Sequence, residues 1–411
     1  MQLLLNIDFN VPWLVFGFGS LIMLCVLTKA GFDRFSLPSI VGYLLVGMLL
    51  SFADREMGIL NHSGEGVLSF LSAVGVIVLL FRVGIESNLH ALLHALPKAA
   101  KVWVPDMLVS SLPTYFITRY LLGYGMAPSL FVAVAMTATS VGVSVAVWKE
   151  THKLDTKEGG ILLDTAELDD ISGVAFMALL FSIAPVLKQM SIGGHKGDAA
   201  LISELGNEAG LFAVKFIVFI AMILALGRYL EAPLAHVTRK IGNKATVLIF
   251  VGGCGFSIAG LAGMIGLSLP IGALFAGLLL SRHREDYGFQ PFYRSLYLLF
   301  MPFFFIHIGF QINPHIIMGS LATGVALTFV ALISKVVGTG CVTRLFTNTY
   351  GVLLIGASMV PRAEVAMIVV QRGKDLGDWA MPDELYAAMV FVSAATCMGA
   401  AIFLHWALRR W

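Results

Sequence analysis

Long apolar runs, interrupted by short charged or Pro/Gly-rich breaks, fill this sequence almost from end to end. A helix needs about 20 apolar residues to cross the hydrocarbon core of a bilayer. The pattern therefore predicts an all-α polytopic membrane protein with about 13 transmembrane helices. The predicted spans cover 11–30, 37–53, 67–85, 101–122, 127–147, 160–186, 209–230, 244–264, 268–282, 294–312, 317–343, 349–371 and 386–408.

The composition excludes most soluble classes of protein. Of the 411 residues, 58% are hydrophobic and only 13% are charged, whereas soluble chains of this length keep a charged exterior. A net charge of +2, spread over short loops, does not indicate nucleic-acid binding. The four cysteines lie in apolar segments without metal-ligand spacing, so neither a zinc site nor a disulfide framework is supported. We expect no cofactor.

The distribution of Lys and Arg predicts the orientation in the membrane. Seventeen basic residues lie in or beside the loops after the odd-numbered spans, and six lie near the remaining loops. Basic residues favour the cytoplasmic side. The pattern predicts an external N-terminus, a cytoplasmic C-terminus and a bacterial inner (plasma) membrane. We expect 1–411 to form a single transmembrane transporter unit with no soluble C-terminal domain.

Two short patterns recur in the same order. The pattern G-x-L-x-x-G-x-L-L occupies 42–50 and again 272–280, and Gly84 near the end of span 3 corresponds to Gly309 in span 10. An odd number of spans separates the partners, so the two halves would be inverted in the membrane. Inverted repeats are typical of secondary transporters. The predicted repeats cover 37–186 and 244–408, joined by a linker helix at 209–230.

The strongest candidate chemistry lies in span 6, where Asp169 and Asp170 are adjacent about ten residues into the span. A charge at this depth costs at least about 2.5–3.5 kcal/mol and therefore indicates function. Two neighbouring carboxylates titrate as a coupled pair, and a small hard cation prefers the same oxygens. Proton and cation would then compete for one site; the alternative is a helix N-cap. Asp164 and Glu167, nearer the cytoplasm, are predicted to line an entrance funnel.

Spans 5 and 12 carry the features of interrupted helices. Thr139 and Ser140 belong to a hydroxyl cluster in span 5, although such residues also bond back to their own helix. In span 12, Pro361 breaks the hydrogen-bond ladder beside Arg362 and Glu364. We expect two broken helices that cross, with their terminal dipoles neutralised by these two charges.

Lys335 in span 11 lies too deep to reach water. An ammonium group at this depth needs a carboxylate partner, and Asp169 or Asp170 is the expected one. Such a pair would keep Lys335 charged until a cation displaces it, so Lys335 would take part in proton release. The alternative is a static ion pair that stabilises the helix bundle.

Four motifs together resemble the monovalent cation:proton antiporters, specifically the electrogenic NapA-type sodium/proton exchangers. They are ATSVG at 138–142, LDD at 168–170, KVVG at 335–338 and VPRAEV at 360–365. The resemblance implies a NhaA/NapA-like fold with crossed discontinuous helices, a dimerisation domain and a core domain that moves like an elevator. It also implies a homodimer among membrane lipids, and exchange of two protons for one Na⁺ or Li⁺.

The resemblance also implies roles for individual residues. Asp170 would be the principal carboxylate for Na⁺ and proton, and Asp169 its partner and the counter-ion of Lys335. Thr139 and Ser140 would lie beside the cation. Arg362 and Glu364 would support the broken helices.

Three residues depart from the family pattern, namely Arg82 in span 3 and His307 and Gln311 in span 10. They bear on pH dependence and ion selectivity, not on the class. The close alternative is a potassium/proton antiporter or a Kef-like potassium efflux system on the same fold, which usually carries a Gln-Asp pair instead. A sodium-coupled symporter would need more polar residues, and an intramembrane aspartyl protease would place its aspartates on two helices.

Overall fold

The computed structural model describes residues 11–58, 60, 62–86, 89–192, 207, 210–223, 225, 244–281 and 289–411. The helices are α1 (Val11–Arg34), α2 (Ser39–Met57), α3 (His62–Glu86), α4 (Leu89–Phe116), α5 (Met126–Thr137), α6 (Val141–Glu150), α7 (Lys157–Ile192), α8 (Gly210–Ile223), α9 (Lys244–Met264), α10 (Leu269–Leu280), α11 (Phe289–Phe310), α12 (Ile317–Thr343), α13 (Thr349–Ser358), α14 (Glu364–Leu376) and α15 (Asp383–Arg410). A π-helical turn at Ile117–Leu121 extends α4, and a 3₁₀ turn at Pro314–Ile316 precedes α12.

These helices reproduce the thirteen predicted spans over the described residues, because α5 with α6 and α13 with α14 each form one interrupted span. Eight described helical segments are long and apolar enough to cross a membrane. The prediction of an all-α polytopic membrane protein is confirmed. The predicted linker helix at 209–230 corresponds to α8, and its last residues lie outside the described part of the chain.

The two predicted interruptions are real breaks in the helices. α5 ends at Thr137, and Ala138 adopts extended backbone angles (φ −71°, ψ 139°). In the second span, α13 ends at Ser358 and α14 begins only at Glu364, because the ring of Pro361 removes a donor and disfavours helix before it. The amide N of Ser140 donates to the carbonyl O of Pro361 over 2.8 Å. The two extended segments therefore cross in direct contact.

The helices group into two bundles by their packing. In the first bundle, α2 and α3 pack against α10 and α11, with α1 and α9 alongside. In the second, α4 packs against α5, α7 and α12, and α15 packs against α6, α12, α13 and α14. Few contacts join the bundles, mainly those of α15 with α2 and of α7 with α10. Both broken spans lie in the second bundle, which we call the core bundle; we call the other the scaffold bundle.

Glycines at the repeated positions form the closest contacts of the scaffold bundle. A Cβ added to Gly47 would lie 2.9 Å from the Cα of Gly309, and one added to Gly84 would lie 2.9 Å from the Cα of Gly277. The repeat pairs Gly47 with Gly277 and Gly84 with Gly309, so the two contacts are the same contact made twice. Such reciprocity requires a pseudo-two-fold relation between the halves.

A third pair of contacts extends the symmetry to the first helix. A Cβ at Gly42 of α2 would meet the side chains of Thr28 and Phe32 on α1, whereas one at Gly272 of α10 would meet Ala259 and Ala262 on α9. Helix α1 therefore packs on α2 as α9 packs on α10. The repeat bounds 37–186 and 244–408 stay a prediction, and this contact favours a first repeat that already begins at α1.

Candidate ion-binding site

Asp169 lies on α7 where that helix passes the crossing of the broken spans. Its side chain is fully buried, and its Oδ2 accepts hydrogen bonds from Thr139 Oγ1 at 2.5 Å and from Lys335 Nζ at 3.1 Å. Its other oxygen, Oδ1, is buried without a hydrogen-bond partner in the described part of the chain. One oxygen is thus held by the protein, and one is open to a further ligand.

Asp170 has a different environment, because consecutive residues on an α-helix point about 100° apart. Its side chain is partly exposed and makes no hydrogen bond to any described residue. The charges that act on it are those of Glu364, Asp169 and Glu167, and all three are negative. A carboxylate in this setting gains from any cation or proton that joins it.

Lys335 extends from α12 into the same site and is fully buried. Its ammonium group forms ion pairs with the carboxylates of Asp106 and Asp169, and it donates to the carbonyl O of Thr137 at 2.9 Å. The structure thus pairs Lys335 with Asp169, and the sequence reasoning missed Asp106 in this role. In the predicted span 101–122 Asp106 is only the sixth residue, whereas α4 already begins at Leu89, so this aspartate lies well inside the helix and must have a partner.

Arg362 closes the crossing from the side of α13. Its buried Nη1 donates to the carbonyl O of Ala138 at 2.7 Å, to Thr139 Oγ1 at 3.0 Å and to the carbonyl O of Met359 at 3.2 Å. These carbonyls lie at the C-terminal ends of α5 and α13, where the helix dipoles are negative. The guanidinium therefore contacts the carbonyl ends of both helices, and the neutralisation of their dipoles by Arg362 stays a prediction.

Glu364 is the first residue of α14, where its negative charge is favoured by the positive end of that helix. It accepts a hydrogen bond from the hydroxyl of Ser140. Gly142, two residues after Ser140, lies near the same carboxylate, since a Cβ there would be in ordinary contact with Glu364 Oε1 at 3.7 Å. Each broken span thus supplies a side chain to the other span.

A cavity of about 560 Å³ leads from the protein surface to this crossing, between the two bundles. Its lining includes Lys29 of α1, Arg82 of α3 and Glu150 of α6, and it reaches Glu364 at its inner end. Asp164 and Glu167 lie on α7, exposed and half-exposed respectively, and neither is among the lining residues. Their predicted place in an entrance funnel stays a prediction.

The unexpected Arg82 of span 3 belongs to the wall of this cavity. Its guanidinium lies over the ring of Tyr297, 4.4 Å from the centroid, and its Nε forms an ion pair with Glu86 at 2.8 Å. Tyr297 and Glu86 belong to the scaffold bundle, so Arg82 places a fixed positive charge on the scaffold side of the cavity, opposite Glu364.

His307 and Gln311 lie at the other end of α11, away from the cavity. Gln371 of α14 donates from Nε2 to Gln311 Oε1 at 2.9 Å, and the hydroxyl of Tyr386 on α15 donates to Gln371 Oε1 at 2.7 Å and to the carbonyl O of Ile308 at 3.0 Å. His307 Nε2 lies 3.3 Å from Gln311 Nε2. This polar network joins the scaffold bundle to the core bundle at the end of α11 opposite the cavity.

The site can present several oxygens to a small cation: the open Oδ1 of Asp169, the carboxylate of Asp170 and the hydroxyl of Thr139. All three lie at or beside the broken helices, where backbone groups leave the helical ladder. Among the described residues, no group of three His, Cys, Asp or Glu side chains is arranged to hold a resident metal ion.

Comparison with known proteins places the chain in one family. The model of the family described as "Sodium/hydrogen exchanger, transmembrane" matches residues 20–410. A Na⁺/H⁺ antiporter from Enterococcus hirae is 29% identical over 372 residues, which cover 87% of this chain and 89% of the relative. The Na⁺/H⁺-K⁺ antiporter GerN from Bacillus cereus is 28% identical over 370 residues, covering 89% of this chain and 88% of the relative.

The fold is similar to a solved structure, the sodium proton antiporter MjNhaP1 from Methanocaldococcus jannaschii at pH 8. The TM-score is 0.63 at 16% sequence identity, and the match covers 97% of this chain and 99% of that one. The resemblance to the monovalent cation:proton antiporters is confirmed by the family match, and the electrogenic NapA type stays a prediction. This chain belongs to the transmembrane sodium/hydrogen exchanger family and is a multi-pass cation/proton antiporter, a transporter and not an enzyme.

Proposed function

We propose that this protein exchanges Na⁺ or Li⁺ for protons, with cation and proton competing for Asp169 and Asp170. The observation that carries the proposal is the unsatisfied carboxylate of Asp170 beside the half-satisfied carboxylate of Asp169. Bare, like-charged carboxylates in the membrane are costly, so the pair is stabilised by taking up either a cation or protons. Because both ligands relieve the same repulsion, binding one disfavours the other.

The contacts of Asp169 suggest how a cation enters the pair. Before the ion binds, Thr139 and Lys335 both contact Oδ2, so the open Oδ1 and Asp170 would meet the ion first, and Lys335 would then give up its contact. Glu364 lines the cavity and accepts a hydrogen bond from Ser140, so this pair would guide the ion inward. Arg362 keeps the two extended segments together while the ion passes between them.

The division into two bundles supports an elevator-like movement. The cavity separates the bundles on one side of the site, and the network around Gln371 and Tyr386 closes them together on the other. Breaking this network and closing the cavity would expose Asp170 to the opposite side without changing the core bundle itself. Exchange of two protons for one cation would make transport electrogenic.

The predicted orientation places the cavity on the cytoplasmic side of a bacterial inner membrane, because α11 would run from the cytoplasm outward. Helix α1 exposes most of its apolar side chains. We propose that lipids and a second copy of this chain cover the scaffold bundle in a homodimer, which would anchor it while the core bundle moves.

The proposal is tested by cation-induced proton movement in proteoliposomes that contain a pH dye, with Na⁺, Li⁺ and K⁺ compared. Asp170→Asn keeps the shape of the side chain but removes its charge, so we expect exchange to fall to the level of empty liposomes. Asp378→Asn, at an exposed carboxylate on the surface, is the matched control and should exchange like the wild type. Wild-type rates in Asp170→Asn would refute the site.

A potassium/proton antiporter remains the second candidate, because the name of GerN includes potassium as well as sodium. The same assay separates the two functions. A dye response that is larger for K⁺ than for Na⁺ and Li⁺, and that is lost in Asp170→Asn, would establish the second candidate with the same carboxylates.

A further inference from the structure

Lys335 has one carboxylate partner more than the exchange reaction needs. An ammonium group has three N–H donors, and in Lys335 they face Asp106, Asp169 and the carbonyl O of Thr137. The two carboxylates come from different helices, α4 and α7, and both are fully buried. Three ionisable groups therefore share one contact that is buried from solvent.

The two carboxylates differ in what else they touch. Asp169 is bound by Thr139 of the crossing and is followed in the chain by Asp170. Asp106 has Lys335 as its hydrogen-bond partner among the described residues, and its Oδ1 is buried without one. The Asp106 side chain thus forms a hydrogen bond only with Lys335, whereas Asp169 contacts both Lys335 and the residues of the ion site, among the residues that the structure describes.

The backbone holds Asp106 against the helix that carries the lysine. Gly338 lies one helical turn after Lys335, and a Cβ added there would lie 2.8 Å from the Cα of Asp106. Glycine is therefore required for α4 and α12 to approach this closely. The distance between Asp106 and Lys335 is set by two packed helices of the same bundle, so it is preserved when the bundle moves as a unit.

We propose that Asp106 is a positioning residue, the permanent counter-ion that keeps Lys335 protonated when Asp169 turns to the transported cation. The inference rests on the proposed exchange at Asp169 and Asp170. When the cation binds, Lys335 gives up its contact with Asp169 and keeps its three protons and its contact with Asp106. Before the cation binds, Asp169 carries its exchangeable proton on Oδ1 and accepts from Lys335 through Oδ2, while the ionised Asp106 balances the ammonium. The protons released are that of Asp169 Oδ1 and that of Asp170, so Lys335 keeps its own three protons and carries none across.

This assignment chooses between the two roles that the sequence left open for Lys335. Without Asp106, a cation could displace Lys335 from Asp169 only by separating the single ion pair of a buried ammonium, or after that ammonium had lost its proton. With Asp106 in place, neither is required. The lysine is then an ion-paired group and not a proton carrier.

The first test is Asp106→Asn, measured by the apparent KM for Na⁺ in proteoliposomes and by the stabilisation that Na⁺ gives to the purified protein on heating in detergent. Loss of the counter-ion leaves the ammonium to Asp169 alone, so we expect the KM to rise about tenfold, as is usual for coupled buried charges. The double variant Asp106→Asn with Lys335→Met removes both the ammonium that competes with Na⁺ for Asp169 and the counter-ion of that ammonium. We expect its KM for Na⁺ to return to the wild-type value or below.

The second test is the ratio of protons to sodium, obtained from the reversal potential of exchange. We expect the same ratio in the wild type and in the double variant of Asp106 and Lys335, because neither residue carries an exchanged proton. One proton fewer per sodium in the double variant would show that Lys335 is a carrier and would overturn the inference.

The outcomes separate this inference from the proposed function. Exchange by the wild type with an unchanged KM in Asp106→Asn overturns the inference alone. Absence of exchange in the wild type for every cation overturns the proposed function and the inference with it. If Asp106→Asn does not fold, the double variant decides: folded protein with wild-type stabilisation by Na⁺ supports the pairing, and misfolding of both overturns it.

Discussion

Replacing Arg362 by Met should destabilise the crossing of the broken helices more than the loss of any other single side chain there. The substitution keeps most of the side-chain volume and removes the charge. Two carbonyl oxygens, those of Ala138 and Met359, would each lose a charged donor while remaining buried. The hydroxyl of Thr139 would lose a neighbour as well.

The magnitude follows from these contacts. A hydrogen bond to a charged group contributes about 1.5–3 kcal/mol, and two carbonyls lose one each. Part of this loss is offset because the guanidinium no longer has to be buried. We therefore expect the free energy of unfolding to fall by about 3–5 kcal/mol, which for a chain of this size lowers the Tm by about 3–6 °C.

The assay is thermal unfolding in detergent, followed by exchange measurements on the fraction that stays folded. Arg372→Met is the matched control, since Arg372 lies on the same span, is partly exposed and pairs at the surface with Asp375 over 3.5 Å. Arg362→Lys should give an intermediate Tm, because one ammonium keeps the charge but lacks the planar reach of the guanidinium. A Tm within 1 °C of the wild type in Arg362→Met would refute the reasoning.

Two further predictions concern the scaffold bundle. Gly309→Val should reduce the yield of monodisperse protein in detergent severalfold. A Cβ at this position would lie 2.2 Å from the carbonyl O of Leu44, and backbone atoms cannot move aside as the end of a side chain can. Gly319→Val, which has open space around it, is the control, and equal yields of the two variants would contradict the packing argument. Arg82→Gln should lower the apparent KM for Na⁺ about two- to fivefold at low salt and less at high salt, because a positive charge in the cavity repels the entering cation and is screened by ions. The same KM in the variant and the wild type at both salt concentrations would show that Arg82 is structural.

Much of the fold could be predicted from the sequence, because the relevant properties are local to each segment. A run of about 20 apolar residues forms a span whatever surrounds it. Pro361 interrupts the span between α13 and α14 because proline has no backbone N–H to donate. The internal repeat was likewise predicted from the order and spacing of the glycines in spans 2, 3, 9 and 10. The inverted relation of the two halves followed from an odd count of spans, and the reciprocal contacts of those glycines agree with it.

What the side chains contact was decided by the tertiary structure. Lys335 had to find a carboxylate, but which one depended on the rotation of α4, α7 and α12 about their axes, and the answer included Asp106. The order of the residues could not show that Glu364 lines the cavity while Asp164 and Glu167 of α7 do not. Buried charges select their partners through packing between segments more than a hundred residues apart, whereas hydrophobic length acts within one segment. The sequence by itself therefore determined that this chain spans a membrane with paired carboxylates inside it, and the packing of the helices decided which charges meet.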